Sequence, residues 1–159
     1  MHSINKVTVI GGSGFVGTNL CKKLEKKDIP FEIIDLKVSK LYPNKTKKVD
    51  VRHKDSLAKA ISGNIIVNLA AVHRDDVLDS NEYYSTNVEG AKNITQVCKL
   101  KSIKKIVFTS TVAVYGFKDF PVSEDEQTNP FNHYGKSKLM AEDLFREWNK
   151  GEANSLIII

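Results

Sequence analysis

Cysteine is scarce. Cys21 and Cys98 are the only two in 159 residues; they form no C-x-x-C, and neither has histidine or carboxylate neighbours at metal-ligand spacing. A zinc ribbon or a disulfide framework is therefore excluded, and buried free thiols in a reducing, cytoplasmic setting are expected. Long hydrophobic runs are missing as well. The longest, such as Leu156 to Ile159, fall far below the roughly 20 residues needed to cross a bilayer, so no spanning helix and no membrane partner are expected. The polar start, Met1 to Lys6, runs straight into a strand-like segment and leaves no room for a signal peptide. No internal repeat, low-complexity tract or linker divides the chain, so residues 1–159 read as one domain. Acidic residues are outnumbered, 19 against 24 basic ones, for a net charge of +5. That balance suits a phosphate-bearing partner. The lysines are scattered (Lys22, Lys23, Lys26, Lys27, Lys47, Lys48, Lys104, Lys105) and lack interleaved aromatics, which argues for a solvated surface and against nucleic acid.

What is present is a regular alternation. Apolar, β-branched stretches recur at Lys6–Ile10, Phe31–Leu36, Lys47–Val51, Asn64–Ala70, Lys104–Ser110 and Leu156–Ile159. Several are nearly continuous, the pattern of strands covered on both faces of a parallel sheet. Between them run helix-period stripes: Val16, Leu20 and Leu24; Ala91, Ile94 and Cys98; Met140, Leu144 and Trp148. The sum is an α/β, doubly wound parallel sheet, whose ligands bind at the edge where strand C-termini emerge.

Glycine is not abundant, nine in all, yet four fall in Gly11-Gly12-Ser13-Gly14-Phe15-Val16-Gly17, directly between the first strand and the first helix. Gly11 or Gly12 permits a tight turn, Gly14 lets backbone approach a pyrophosphate, and Gly17 lets helix and strand pack closely. Amides near Phe15 and Val16 then face the phosphates from the helix N-terminus. The string satisfies both G-x-G-x-x-G and G-x-x-G-x-x-G. A P-loop fails because Thr18 stands where the phosphate-reaching lysine belongs. Asp35, eighteen positions after Gly17, closes the second strand where a carboxylate accepts bonds from the adenosine ribose hydroxyls, which favours NAD over NADP; Lys37, two residues on, is a cation able to offset a 2′-phosphate. This is the Rossmann dinucleotide-binding arrangement.

Tyr134-Gly135-Lys136-Ser137-Lys138 opens a helix running to about Lys150. Four-residue spacing sets the Tyr134 phenol and the Lys138 ammonium on one face, where the cation favours the phenolate. Upstream, the strand of Ile106–Phe108 ends in three hydroxyl residues, Thr109, Ser110 and Thr111, followed by Val114-Tyr115-Gly116. With these motifs in order, the chain resembles the extended short-chain dehydrogenase/reductase family, in particular its NAD-dependent sugar-nucleotide epimerase/dehydratase members, over Val7 to Ile159.

The resemblance implies that Gly11, Gly14 and Gly17 form the pyrophosphate turn and Asp35 holds the adenosine ribose. Asp50 and Val51 resemble the pair beside adenine, Leu69-Ala70-Ala71 the segment beneath the cofactor, and Thr109 belongs with the cofactor-contacting set. Thr111 is similar to the catalytic Ser/Thr, Tyr134 to the general base, and Lys138 to its partner, which also binds the nicotinamide ribose. Asn87 lies on the stripe continued by Ala91, Ile94 and Cys98; its buried amide needs partners, protein or cofactor. His73 is either an ordinary loop histidine or a cofactor contact, and Asp75 and Asp76 read as helix-start or surface acids.

Family dehydratases place an acid after the catalytic threonine, and the decarboxylases a glutamate before V-Y-G; Val112 and Ala113 stand there instead. The resemblance thus implies an epimerase, in which a nucleotide-sugar hydroxyl is transiently oxidised with Tyr134 as base and hydride returns to the opposite face. A reductase or dehydrogenase of the same family, or a non-catalytic NAD-binding module, is the alternative. Family members are about twice this length, so the chain is expected to be truncated within its sixth strand, without the substrate-binding part. Helices near Glu82–Leu100 and Tyr134–Lys150 resemble those that pair in family homodimers.

Overall fold

The apolar runs become six short strands in the computed structural model, which describes residues 5–74 and 76–159. Residues 1–4 and Asp75, both given readings above, lie outside the described residues. The strands are β1 (Val7–Ile10), β2 (Phe31–Asp35), β3 (Thr46–Lys48), β4 (Ile65–Asn68), β5 (Lys105–Phe108) and β6 (Ser155–Ile158). They form one parallel sheet in the order β3-β2-β1-β4-β5-β6. The expected doubly wound architecture is therefore present. Strand order reverses between β1 and β4, and the C-terminal ends of these neighbours open a crevice.

Most strands stop short of their apolar runs. Leu69 N–H still bonds Ile10 O at 2.8 Å and Thr109 N–H bonds Asn68 O at 3.3 Å, after which the chain leaves the sheet. The trailing residues thus become the loops that line its C-terminal edge.

Side chains alternate between two faces, as a pleated strand requires. Ile10, Ile34, Ile66, Ile106 and Phe108 pack with α2 (Lys54–Ala60), α4 (Gly90–Leu100) and α5 (His133–Asn149) through Leu57, Ile94, Val97, Phe145 and Trp148. Val7, Val9, Phe31 and Ile33 pack against Cys21 and Leu24 of α1 (Phe15–Lys26). The continuous runs predict cover on both faces throughout. Over β5 and β6 this second face is thinner: Val107 is half-buried and Ile157 is 54% exposed, because the described helix on that side, α1, packs on β1 and β2.

Two of the three stripes need correction. In α1 the buried residues are Gly17, Cys21 and Leu24, while Val16 is 57% exposed. The glycine turn sets the helix rotation: Gly17 must face Gly12, which turns Val16 outward. In α5, Met140 is exposed and the buried face is Ser137, Lys138, Ala141, Glu142, Phe145 and Trp148. A stripe read from apolar residues misses a face that carries three polar ones. The stripe of Ala91, Ile94 and Cys98 is buried as expected. Upstream of it, α3 (Asn81–Tyr83) and a π-helical turn (Tyr84–Glu89) lead directly into α4, with Asn87 buried in that turn.

Both cysteines are free and buried. Burial pushes the Cys21 thiol up to about 11 and that of Cys98 to about 12, so both stay protonated. Among the described residues no helix is long and apolar enough to cross a membrane, and none of their His, Cys, Asp and Glu side chains cluster as a metal site.

Candidate functional site

The glycine turn holds its backbone where few other residues can follow. Gly11 has φ 79°, and a Cβ there would lie 2.7 Å from Ala70 N, so the ends of β1 and β4 approach as backbone against backbone. A Cβ on Gly17 would lie 2.5 Å from Gly12 Cα, whereas on Gly14 it would meet nothing nearer than Gly11 O at 3.5 Å. The Gly11-Gly14-Gly17 spacing is thus the one the fold uses: turn, open approach, close packing. Helix α1 starts at Phe15 with no side-chain cap and no acid in its first turn, which leaves the first-turn amides of Phe15, Val16 and Gly17 available to an anion. Gly17→Ala is expected to lower stability by about 1–3 kcal/mol, read by urea denaturation, because backbone and not a flexible side chain must move.

A cavity of about 470 Å³ opens at this turn. Its lining brings together Gly11, Gly14, Asp35, Asp50, Val51, Leu69, Ala70, Ala71 and His73, nine of the residues singled out in the sequence. Asp35 accepts bonds from Ser13 N (3.0 Å) and Lys37 N (3.0 Å), so its carboxylate is fixed at the cavity rim by the turn itself. Ser13 Oγ donates to Lys37 O at 2.7 Å and closes the same loop. Asp50 is gripped by Arg52 through Nε and Nη2, which holds its carboxyl below the usual carboxylate range. His73 lies exposed on the loop after β4, and Asp76 is exposed in an ion pair with Arg74 at 3.6 Å.

Asn87 has protein partners on both ends of its amide. Its Oδ1 accepts from Val72 N at 2.9 Å, and its Nδ2 donates to Val72 O at 3.0 Å and Ser137 Oγ at 2.9 Å. One buried amide thereby ties the loop beneath the cavity to α5, one residue from Lys138.

The second group forms where β5 ends against α5. Asn132 caps that helix by accepting from Gly135 N at 2.7 Å. A Cβ on Gly135 would lie 2.7 Å from Ala113 O, so this glycine allows the turn Val112–Val114 to press onto the helix start. Thr111 caps the turn, its Oγ1 accepting from Ala113 N at 3.2 Å, and keeps its hydroxyl proton free to donate. Lys138 is 3% exposed. Its Nζ donates to Thr109 O and sits 4.1 Å from the Phe108 ring centroid. Burial pulls its ammonium down to about 8, and Glu142 opposes the fall. Tyr134 stands one turn earlier, half-buried, with the Tyr83 ring centroid 6.4 Å away. No hydrogen bond joins Tyr134 to Lys138 among the described residues. Thr109 and Thr111 also line a larger cavity, about 820 Å³, that extends over Ser110, Glu142 and Arg146.

With this geometry in hand, the chain matches the description "NAD dependent epimerase/dehydratase family" over residues 7–159. The chain belongs to that family. It is 44% identical over 160 residues to an N-acetyl-alpha-D-glucosaminyl-diphospho-ditrans,octacis-undecaprenol 4-epimerase of Escherichia coli O157:H7, covering 98% of this chain and 47% of that protein. It is 29% identical over 167 residues to a UDP-glucose 4-epimerase of Lactobacillus helveticus, covering 92% and 48%. The solved UDP-glucose 4-epimerase of Brucella ovis in complex with NAD superposes with a TM-score of 0.87 at 26% identity, over 97% of this chain and 50% of that one. The chain thus spans about half the length of the relatives it matches.

Sequence reasoning missed Ser13, Arg52, Ser137 and Glu142. Ser13, Ser137 and Glu142 work through contacts distant in sequence, and the side-chain grip of Arg52 on Asp50, two positions away, belongs to no motif.

Proposed function

We propose that this family member is an NAD-dependent sugar 4-epimerase in which Tyr134 moves the proton, Lys138 supplies the positive field and Thr111 steers the sugar hydroxyl. The observation that carries this reading is the burial of the Lys138 ammonium at the strand end, on the helix face it shares with Tyr134.

The residues present fit NAD. The uncapped start of α1 offers amides to a diphosphate, the open space at Gly14 admits it, and the rim carboxylate of Asp35 suits a ribose diol. Bound NAD supplies a hydride acceptor that can return what it takes. The chain's own part is proton handling. A phenol is a weak base near neutrality, and a cation in a desolvated setting favours its phenolate. Tyr134 then accepts the hydroxyl proton as the sugar carbon is oxidised and gives it back on reduction. Thr111, held by its bond from Ala113 N, donates to the same hydroxyl oxygen. Val112 and Ala113 leave no acid for elimination beside them, which favours epimerisation over dehydration.

The substrate is a hexose on a diphosphate. A nucleotide-sugar is the first reading. The 44% identity with an enzyme named for a polyprenol-linked sugar favours a second, a lipid diphosphate-linked amino sugar. The exposed Val112, Phe117 and Phe120 around the larger cavity supply apolar surface that suits an isoprenoid. Incubation with NAD and either UDP-hexoses or polyprenyl diphosphate-linked N-acetylhexosamine, followed by sugar analysis, separates the two. Inversion at the 4-position in neither set removes the epimerase reading. A cytoplasmic setting agrees with the two buried free thiols, and a homodimer through α4 and α5, where Leu100 and Met140 are exposed, predicts twice the chain mass in light scattering.

A further inference from the structure

Glu142 is a buried carboxylate beside the site that the proposed mechanism does not use. It is 4% exposed, although an ionised group is costly to bury without partners. Its partners come from both sides of the site. Ser110 Oγ, on the residue between Thr109 and Thr111, donates to its Oε1. Arg146 Nη1 meets its Oε2 at 2.6 Å. Lys138 stands one helical turn before it, on the same buried face of α5. Thr109 and Thr111 flank the serine that bonds this carboxylate, and Lys138 and Tyr134 stand four and eight residues before it on α5.

We propose that Glu142 is a positioning residue: it clamps the strand end carrying Thr109 and Thr111 to the helix carrying Tyr134 and Lys138, and sets its carboxylate one helical turn from the Lys138 ammonium. The assignment of a task to Lys138 rests on the epimerase reading; the clamp and the charge do not. Arg146 takes one carboxylate oxygen, Oε2, and Ser110 the other, Oε1. The other ionisable groups around this part of α5 include His133 and Tyr134 on the helix, Tyr83 of α3, Tyr84 of the π-helical turn, Cys98 of α4 and Tyr115 after β5. Lys118, Glu124 and Asp125 line the larger cavity with Glu142 and are not fully buried. Glu142 is thus the buried anion in the group.

The test is the titration of Lys138 in the folded protein, followed by NMR of carbon-labelled lysine side chains, with NAD binding measured in parallel. In Glu142→Gln the Lys138 midpoint is expected to fall by about one pH unit. Direction is what discriminates. Burial is what depresses this lysine, so a variant that merely loosens the packing rehydrates it and moves the midpoint up. Only loss of a nearby negative charge moves it down. Glu142→Asp keeps a carboxylate one methylene further back; it is expected to show a smaller fall, and it decides the matter alone if Glu142→Gln does not fold. A midpoint that is unchanged or raised overturns the proposal. A fall in the variant, beside an unsubstituted protein that fails to bind NAD, upholds the placement of the Glu142 charge and removes the epimerase reading.

Discussion

Tyr134→Phe is expected to lower turnover by about 10²–10⁴-fold while leaving NAD affinity within a few-fold, because it removes the proton carrier and keeps the ring. The ring is what packs near Tyr83, and the capping of α5 by Asn132 does not involve the phenol oxygen. Steady-state rates beside a binding titration separate the two effects. The pH profile should follow the neighbouring lysine. With its midpoint at about 8, Lys138 is charged below that pH and loses its charge above it, so activity falls as pH rises through about 8. Retention of most activity in Tyr134→Phe would remove this residue from the chemistry.

Glu32→Ala is expected to destabilise the fold by about 3–5 kcal/mol, the range for removing one member of a buried ionic cluster. Glu32 is 3% exposed on β2. It accepts bonds from Thr8 Oγ1 at 2.7 Å, Ser62 N at 2.6 Å, Ser62 Oγ at 2.6 Å and Gly63 N at 3.1 Å. Lys6 and Lys47 reach it at 3.0 and 2.9 Å. One carboxylate thus holds β1, β2, β3 and the loop entering β4, away from the cavity edge. Burial raises its proton affinity, but the bonds from Ser62, Lys47 and Thr8 outweigh that and hold the carboxyl far below its ordinary value of 4.5. The unfolded chain then binds more protons than the folded one just below that value. The stabilisation is therefore complete above pH about 4.5 and is lost as pH falls from there. Chemical denaturation of both proteins at pH 7 and at pH 3 should show the gap between them narrowing at the lower pH.

What the sequence made legible was whatever rests on local spacing. Gly11, Gly14 and Gly17, Asp35 at the end of its strand, and the pair Tyr134 and Lys138 stand at fixed offsets within single strand-turn-helix units, so their chemistry could be read before their neighbours were known. In the structure Gly11, Gly14 and Asp35 line one cavity. Whatever depends on contacts between distant segments was hidden. The protein partners of Asn87, Val72 and Ser137, lie fifteen and fifty positions away. Glu32 lies within an apolar run as an apparent exception, yet it is the hub of a cluster gathered from four segments. The stripes of α1 and α5 misled for a related reason, since helix rotation there is set by Gly17 on Gly12 and by a buried polar face, not by the apolar residues alone.

The central claim is that the crevice between β1 and β4 holds a dinucleotide by its diphosphate and its adenosine ribose. Calorimetric titration of the protein and of Asp35→Asn with NAD and with NADP tests it most directly. One NAD should bind per chain, more tightly than NADP, and the substitution should narrow that preference at least tenfold, since bonds to a charged acceptor contribute about 1.5–3 kcal/mol. Absence of saturable NAD binding, or a preference that Asp35→Asn leaves unchanged, would contradict the account.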